Sequence, residues 1–230
     1  MRFPRVLAVC CVLELAVCSS LFSQTNNHPP TLNELVSRYV AAINAQDATA
    51  VNGLAYPESL ACITQDNRDF YDRAVAVSMR KHIPADYHFT DTTLSGKDVL
   101  PLNGYATFPI RPTHQIQIEY SSGAENSGTV LLWLVSKNGH WYNDEPCINS
   151  IIIKQFHDDL PNIKARERAT KSLVAQIQGP LLSELKSLLK QGKDATASHR
   201  YAQAAGKDND TSLMVIEELA FQMRQQKIPP

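Results

Sequence analysis

Thr113-His114-Gln115-Ile116-Gln117-Ile118-Glu119-Tyr120 alternates strictly. His114, Ile116, Ile118 and Tyr120 fall on one side, and Thr113, Gln115, Gln117 and Glu119 on the other. A period of two marks a strand with one buried face. Beyond a loop at 121–127 that carries Gly123, the stretch Thr129-Val130-Leu131-Leu132-Trp133-Leu134-Val135 is apolar on both sides. Such a run belongs in the middle of a sheet, covered on both faces. Lys137-Asn138-Gly139-His140 then supplies Asn-Gly, a hairpin turn, and Trp141-Tyr142 opens a last strand that ends near Pro146. Upstream, 87–94 and 104–110 read as two more strands. The centre of the chain is therefore an antiparallel sheet.

Helices flank this sheet. Thr31 followed by Glu34 makes a capping box, and Leu32, Leu35, Val36, Tyr39, Val40 and Ile43 recur at helical spacing behind it. Asp47 caps a short second helix that reaches Leu54, and Tyr56-Pro57-Glu58 breaks it. A third helix spans 66–82, with Phe70, Ala74 and Val77 on its inner stripe and Pro84 beyond its end. After residue 154 the pattern is helical only. Leu160, Ile163, Ala169, Leu173, Val174 and Ile177 form one stripe. Pro180 opens a leucine-rich helix that stops at Gly192, and two shorter helices follow, at 194–205 and 210–225. The reading is an α+β domain over 31–154 followed by an all-helical region over 155–230. The outer face of the 129–135 strand needs a cover, because leaving a leucine or valine in water forfeits about 1.5–3 kcal/mol. The tail helices, packed within the chain, are the expected cover; a partner chain is the other.

Residues 1–24 read as an export signal: Arg2 and Arg5, an apolar run from Val6 to Val17, then the small residues Cys18, Ser19 and Ser20. The run is too short to span a bilayer, which takes about 20 apolar residues. Leu15-Ala16-Val17-Cys18 also resembles a lipobox, which would lipidate Cys18; only then is a membrane contact expected. Residues 25–30 form a polar linker. Removal of the leader leaves Cys62 and Cys147, an even number in an oxidising compartment. Two readings stand for them, a bridge and a pair of buried free thiols. The localisation expected is periplasmic or secreted.

Lys and Arg total 22 against 23 Asp and Glu, so no broad basic surface for nucleic acid is available. The chain has no glycine-rich phosphate loop, no Gly-x-Ser-x-Gly elbow and no His-Glu-x-x-His. Its seven histidines show no metal-ligand spacing. Neither a metal nor a cofactor is expected. His157-Asp158-Asp159 reads as the polar start of a helix rather than a dyad.

Three helices and then antiparallel strands ending in Asn-Gly-x-Trp resemble the nuclear transport factor 2-like superfamily, which includes SnoaL-like proteins and ketosteroid isomerases. The resemblance covers about residues 31–146. Its most specific stretch is Arg38-Tyr39-Val40-Ala41-Ala42-Ile43-Asn44-Ala45-Gln46-Asp47, similar to the first helix of ketosteroid isomerases. The resemblance implies a curved sheet wrapped around the N-terminal helices as a cone. It also implies an oxyanion-stabilising role for Tyr39. The position where the family carries its base falls near Cys62 and Ile63, and the strand at 131–133 has no acid where the family has a protonated Asp. Proton abstraction beside a carbonyl needs both a base and a stabilised oxyanion. The tail, through Leu188-Leu189-Lys190-Gln191-Gly192, Ala197, Tyr201 and Gly206, resembles ribosomal-stalk-like C-terminal helical segments.

The expected function is an exported, non-catalytic binding or interaction protein. Its small apolar ligand would lie between the first helix and the concave sheet face, lined by Tyr39, His88, His114 and Trp133. A homodimer through the sheet is the expected self-contact. The alternative is an isomerase-like enzyme using Tyr39 with a histidine or Glu58. Mass spectrometry of protein from its native host should find an N-terminus between Ser20 and Gln24, or a lipidated Cys18; an intact Met1 contradicts export.

Overall fold

The computed structural model describes residues 29–96, 104–121 and 127–226. The export signal, Cys18 and most of the linker lie outside the described residues, as does the loop at 122–126.

The first helix, α1 (Leu32–Ala45), starts where its cap is. The Thr31 side chain accepts from the Glu34 backbone N–H at 3.1 Å. Asp47 caps α2 (Ala48–Asn52) in the same way, accepting from Ala50. A short α3 (Pro57–Leu60) follows, where the sequence suggested only a break, because Pro57 suits a first helical turn. Next comes α4 (Arg68–Ser78). The main sheet has the order β1 (His88–Thr93), β3 (His114–Ser121), β4 (Ser127–Lys137), β5 (His140–Asn143), all antiparallel. Asn138 and Gly139 both take positive φ, 54° and 76°, as the β4–β5 hairpin turn requires. The 104–110 run contributes only a two-residue strand, β2 (Ala106–Thr107). It pairs with β6 (Cys147–Ile148) in a separate small sheet.

The core forms where the two amphipathic patterns meet. Leu35, Val36, Tyr39, Val40 and Ile43 of α1 pack on Ile116 and Ile118 of β3 and on Val130, Leu132 and Leu134 of β4. Phe89, Tyr120 and Trp141 close the edges of this cluster. Gly128 allows one of these edges to form: the Tyr120 ring lies where a Cβ would stand, 2.3 Å away.

The tail comprises α5 (Ser150–Gln176), α6 (Gly179–Lys190), α7 (Asp194–Ala205) and α8 (Asn209–Gln225). The boundary read at 154/155 lies inside α5. These helices build a second core from Val174, Ile177, Leu185, Ala197, Tyr201, Val215, Ile216 and Leu219. They join the rest of the chain through α4 and the turn after it. Phe156 meets Phe70 edge-on at 5.2 Å, and His157 bonds Asp69 at 3.0 Å. Arg73 pairs with Glu167 at 2.5 Å and Arg80 with Glu218 at 2.8 Å, while Arg80 also lies over the Phe221 ring.

The tail therefore packs within the chain, but not on the outer face of β4. Other side chains cover that face in part. Trp133 rests against Phe108, and Val135 is buried with Tyr56 and Tyr142. Leu131 stays 48% exposed. The tail's leucines are spent on its own core, which is why they are not available to the sheet.

Cys62 and Cys147, 85 positions apart in the sequence, are joined as a disulfide with Cα atoms 5.5 Å apart. Closing a loop of that length restricts the unfolded chain by at most about 4–5 kcal/mol. Unfolding by urea under oxidising and reducing conditions should show a clear drop in midpoint on reduction, as should the Cys62→Ser/Cys147→Ser pair. Equal midpoints would show that the bridge carries no stability.

Candidate functional site

The space between α1 and the sheet is filled by side chains. Tyr39 is only 6% exposed, and Leu35, Val36, Ile116, Ile118 and Leu134 are fully inaccessible. A cavity of about 260 Å³ borders this core to one side, between α2, α3, α4 and the turn after β5. Val51, Ala55, Leu60, Ile63, Ala74 and Val75 form its apolar walls, and Asn52, Arg68, Tyr71, Asp72 and Glu145 its polar ones.

Backbone stitching sets this geometry. Asn143 at the end of β5 donates to the Leu54 carbonyl at 2.8 Å and accepts from the Tyr56 N–H at 2.7 Å. The α2–α3 connection is thus laid parallel to the end of β5, with Ala55 bridged to Asn143. The next residue, Asp144, still follows the sheet and donates its N–H to Trp133 O at 2.6 Å. Alternation then turns consecutive residues to different sides. Asp144 points into protein and Glu145 lines the cavity. Tyr71 holds the chain beyond: its hydroxyl donates to Pro146 O at 3.3 Å and accepts from the Ile148 N–H at 2.9 Å. The disulfide closes the same wall, since Cys62 stands between Leu60 and Ile63 and Cys147 follows Pro146.

The two acids differ in their surroundings. Asp144 is 1% exposed; its Oδ1 accepts from Ser59 Oγ, and its Oδ2 has no partner. Burial pushes its carboxyl up to about 6, helped by the charge of Glu145 and opposed by the Ser59 bond. Glu145 is partly buried and accepts from the Asn143 amide. Burial raises its carboxyl too, against that hydrogen bond. Tyr39 is pushed up to about 12, first by burial and then by the negative charges of Glu145 and Tyr120. Its hydroxyl stays protonated throughout the physiological range.

The residues expected to line a ligand site are not gathered around one cavity. Tyr39 sits in the packed core. His88 is exposed on β1, opposite Glu119 across the β1–β3 ladder. His114 is on the core side, edge-on to the Trp141 ring at 4.8 Å and between Thr93 and Thr113. Trp133 faces the other way, toward Phe108, because its neighbours Leu132 and Leu134 occupy the core side. Glu58 turns outward to Lys137 at 2.6 Å, away from the cavity. Among the described residues, no group of three or more His, Cys, Asp or Glu side chains is placed to hold a metal ion.

Asp144 and Glu145 are not among the residues the sequence singles out, because they read there only as the end of the last strand. The one available signal was their place between an aromatic strand and a cysteine. Comparison with protein-family models, with curated proteins and with solved structures finds no match for this chain.

The sign of the Asp144 shift makes a prediction. Its folded-state pKa lies above its ordinary value of 3.8, so the native state holds this proton more tightly than the unfolded chain does. Stability then falls as pH rises from about 4 to about 6, by about 2–3 kcal/mol, and stays at the lower level above that. Asp144→Asn keeps an acceptor for Ser59 and removes the charge. It should raise the unfolding free energy at pH 7.5 by about 1–2 kcal/mol, a gain that vanishes below about pH 4. A variant destabilised equally at both pH values would show that the carboxylate itself is needed.

Proposed function

We propose that this chain is an exported, non-catalytic binding protein that holds a small, largely apolar ligand in the cavity beside the disulfide. One observation carries the reading. The cavity is lined by six apolar side chains and no His, Cys, Ser or Lys, and the hydroxyl of its one tyrosine is engaged by Pro146 and Ile148. Enclosed apolar walls with few polar groups are what small-molecule sites use. Catalysis would need a nucleophile, or an acid and a base within reach of one substrate atom. Tyr39 is not among the cavity-lining residues, Glu58 points away, and of the two carboxylates in the lining Asp72 is exposed at the rim, which leaves Glu145 as the one inner acid; this favours binding over proton transfer.

Export is supported by the leader-like residues 1–24 and by the disulfide, which persists in oxidising compartments. Among the described residues, no helix is long and apolar enough to cross a membrane. Membership of the SnoaL-like branch of the nuclear transport factor 2-like superfamily is part of the proposal. It is supported by a first helix laid on one face of an antiparallel sheet, with the second face partly open. A cone-like fold hosts both binders and enzymes, so the site carries the function and the fold does not. In this chain the cone's interior is packed, and the proposed pocket sits on its helical flank.

The test is a titration of the mature chain with 2-phenylethanol, followed by ligand-observed NMR. Ala74 is exposed at its backbone turn of α4 yet borders the cavity. Ala74→Phe should fill the cavity entrance, abolish saturable binding and leave the melting temperature unchanged. Binding that survives this substitution undiminished would place the ligand elsewhere.

A further inference from the structure

We propose that the ligand of this cavity is a small amine with an apolar body, its ammonium group paired with Glu145. The inference rests on the reading of the cavity as a binding site and goes beyond it to the ligand's charge.

Glu145 is the one acidic or basic side chain of the cavity that is not exposed, Arg68 and Asp72 both being so. One of its oxygens is committed to the Asn143 amide, whose own backbone is fixed to Leu54 and Tyr56. Among the described residues its other oxygen has no hydrogen-bond donor and Glu145 makes no ion pair. A carboxylate taken partly out of water without a counter-charge is costly, and a ligand that supplies one recovers that cost. The remaining charges nearby are consistent with a cation. Arg68 and Asp72 stand one helical turn apart at the cavity rim, both exposed and opposite in sign, so they nearly cancel. Arg68 forms no ion pair with Glu145 among the described residues. Asp144, behind the turn, adds negative charge, and the buried Tyr39 hydroxyl adds none. The interior potential is therefore negative, over walls of Leu60, Ile63 and Val75 that accept an alkyl or aryl group. An ammonium meets both features at once. A carboxylate ligand would face like charge, and a neutral alcohol would gain only an ordinary hydrogen bond.

The experiment compares three probes of one shape on the mature chain at pH 7.5: 2-phenylethylamine, 2-phenylethanol and 3-phenylpropionate. Dissociation constants are measured for the natural sequence and for Glu145→Gln, Arg68→Gln and Ala74→Phe. The amine should bind tightest and the acid weakest. Glu145→Gln should weaken the amine by about tenfold or more, the worth of a charged hydrogen bond, and shift the alcohol by less than about threefold. Arg68→Gln, at the exposed rim of the cavity, should tighten the amine by about two- to threefold relative to the alcohol. Amine and alcohol binding equally, or both weakened equally by Glu145→Gln, overturns the charge assignment while the cavity stands. An amine loosened by Arg68→Gln does the same. If no probe binds the natural sequence, or if Ala74→Phe binds all three as before, the cavity reading falls and the amine falls with it.

Discussion

The structure depends on one packing contact: the apolar stripe of α1 against the inner face of β3 and β4. Leu35, Val36, Tyr39, Val40 and Ile43 meet Ile116, Ile118, Val130, Leu132 and Leu134. Each element presents its apolar residues at its own period, 3.6 on the helix and two on the strands, and only this docking hides both sets. Every other element is positioned relative to it. The core also fills the space between the helix and the sheet. With bulky side chains from both partners in that space, the cavity that borders it lies at the edge of the core, where α2 and α4 meet the end of β5.

The edge is built by a second device, the seam between Leu54–Tyr56 and Asn143. Two backbone hydrogen bonds and the Cys62–Cys147 disulfide hold the α2–α3 connection against the β5 turn. A turn that would be solvated in isolation is thereby enclosed, and its two acids take different roles. Asp144 faces Ser59 in the protein interior, and Glu145 faces the cavity. The shifts of Asp144, Glu145 and Tyr39 have one leading cause, burial, the two acids at this turn and Tyr39 in the core beside it. The tail, with its own core, leaves this corner open and attaches instead through Arg73, Arg80 and the Phe70–Phe156 contact.

Much of the fold was legible in the sequence. The Thr31 and Asp47 caps, the alternation from His114 to Tyr120 and the Asn138-Gly139 turn are local signals and form where the residues place them; the four tail helices form too, but the first starts at Ser150, so His157-Asp158-Asp159 lies inside it and not at its start. What was not legible depends on distant partners. The 104–110 run has strand-like residues, but only Ala106 and Thr107 find a ladder, because the strand they meet, Cys147–Ile148, is itself two residues long. The cover of Trp133 and Val135 comes from Phe108, Tyr56 and Tyr142 rather than from the leucine-rich tail. The site was the least legible part. Alternation shows that Trp133 and Leu132 face opposite ways, but not which of them meets the core. Nothing in Asn-Asp-Glu-Pro indicates that residues far upstream will cross it and close it off from water.

The central claim is that a ligand occupies the flank of the core and not its interior. Crystals of the mature chain soaked with 2-(4-bromophenyl)ethylamine test it directly, because anomalous scattering locates the bromine without reference to the protein coordinates. One bromine peak is expected among Leu60, Ile63 and Val75, with the amine directed to Glu145. A peak between α1 and the sheet, or among the tail helices with the flank cavity empty, would contradict it.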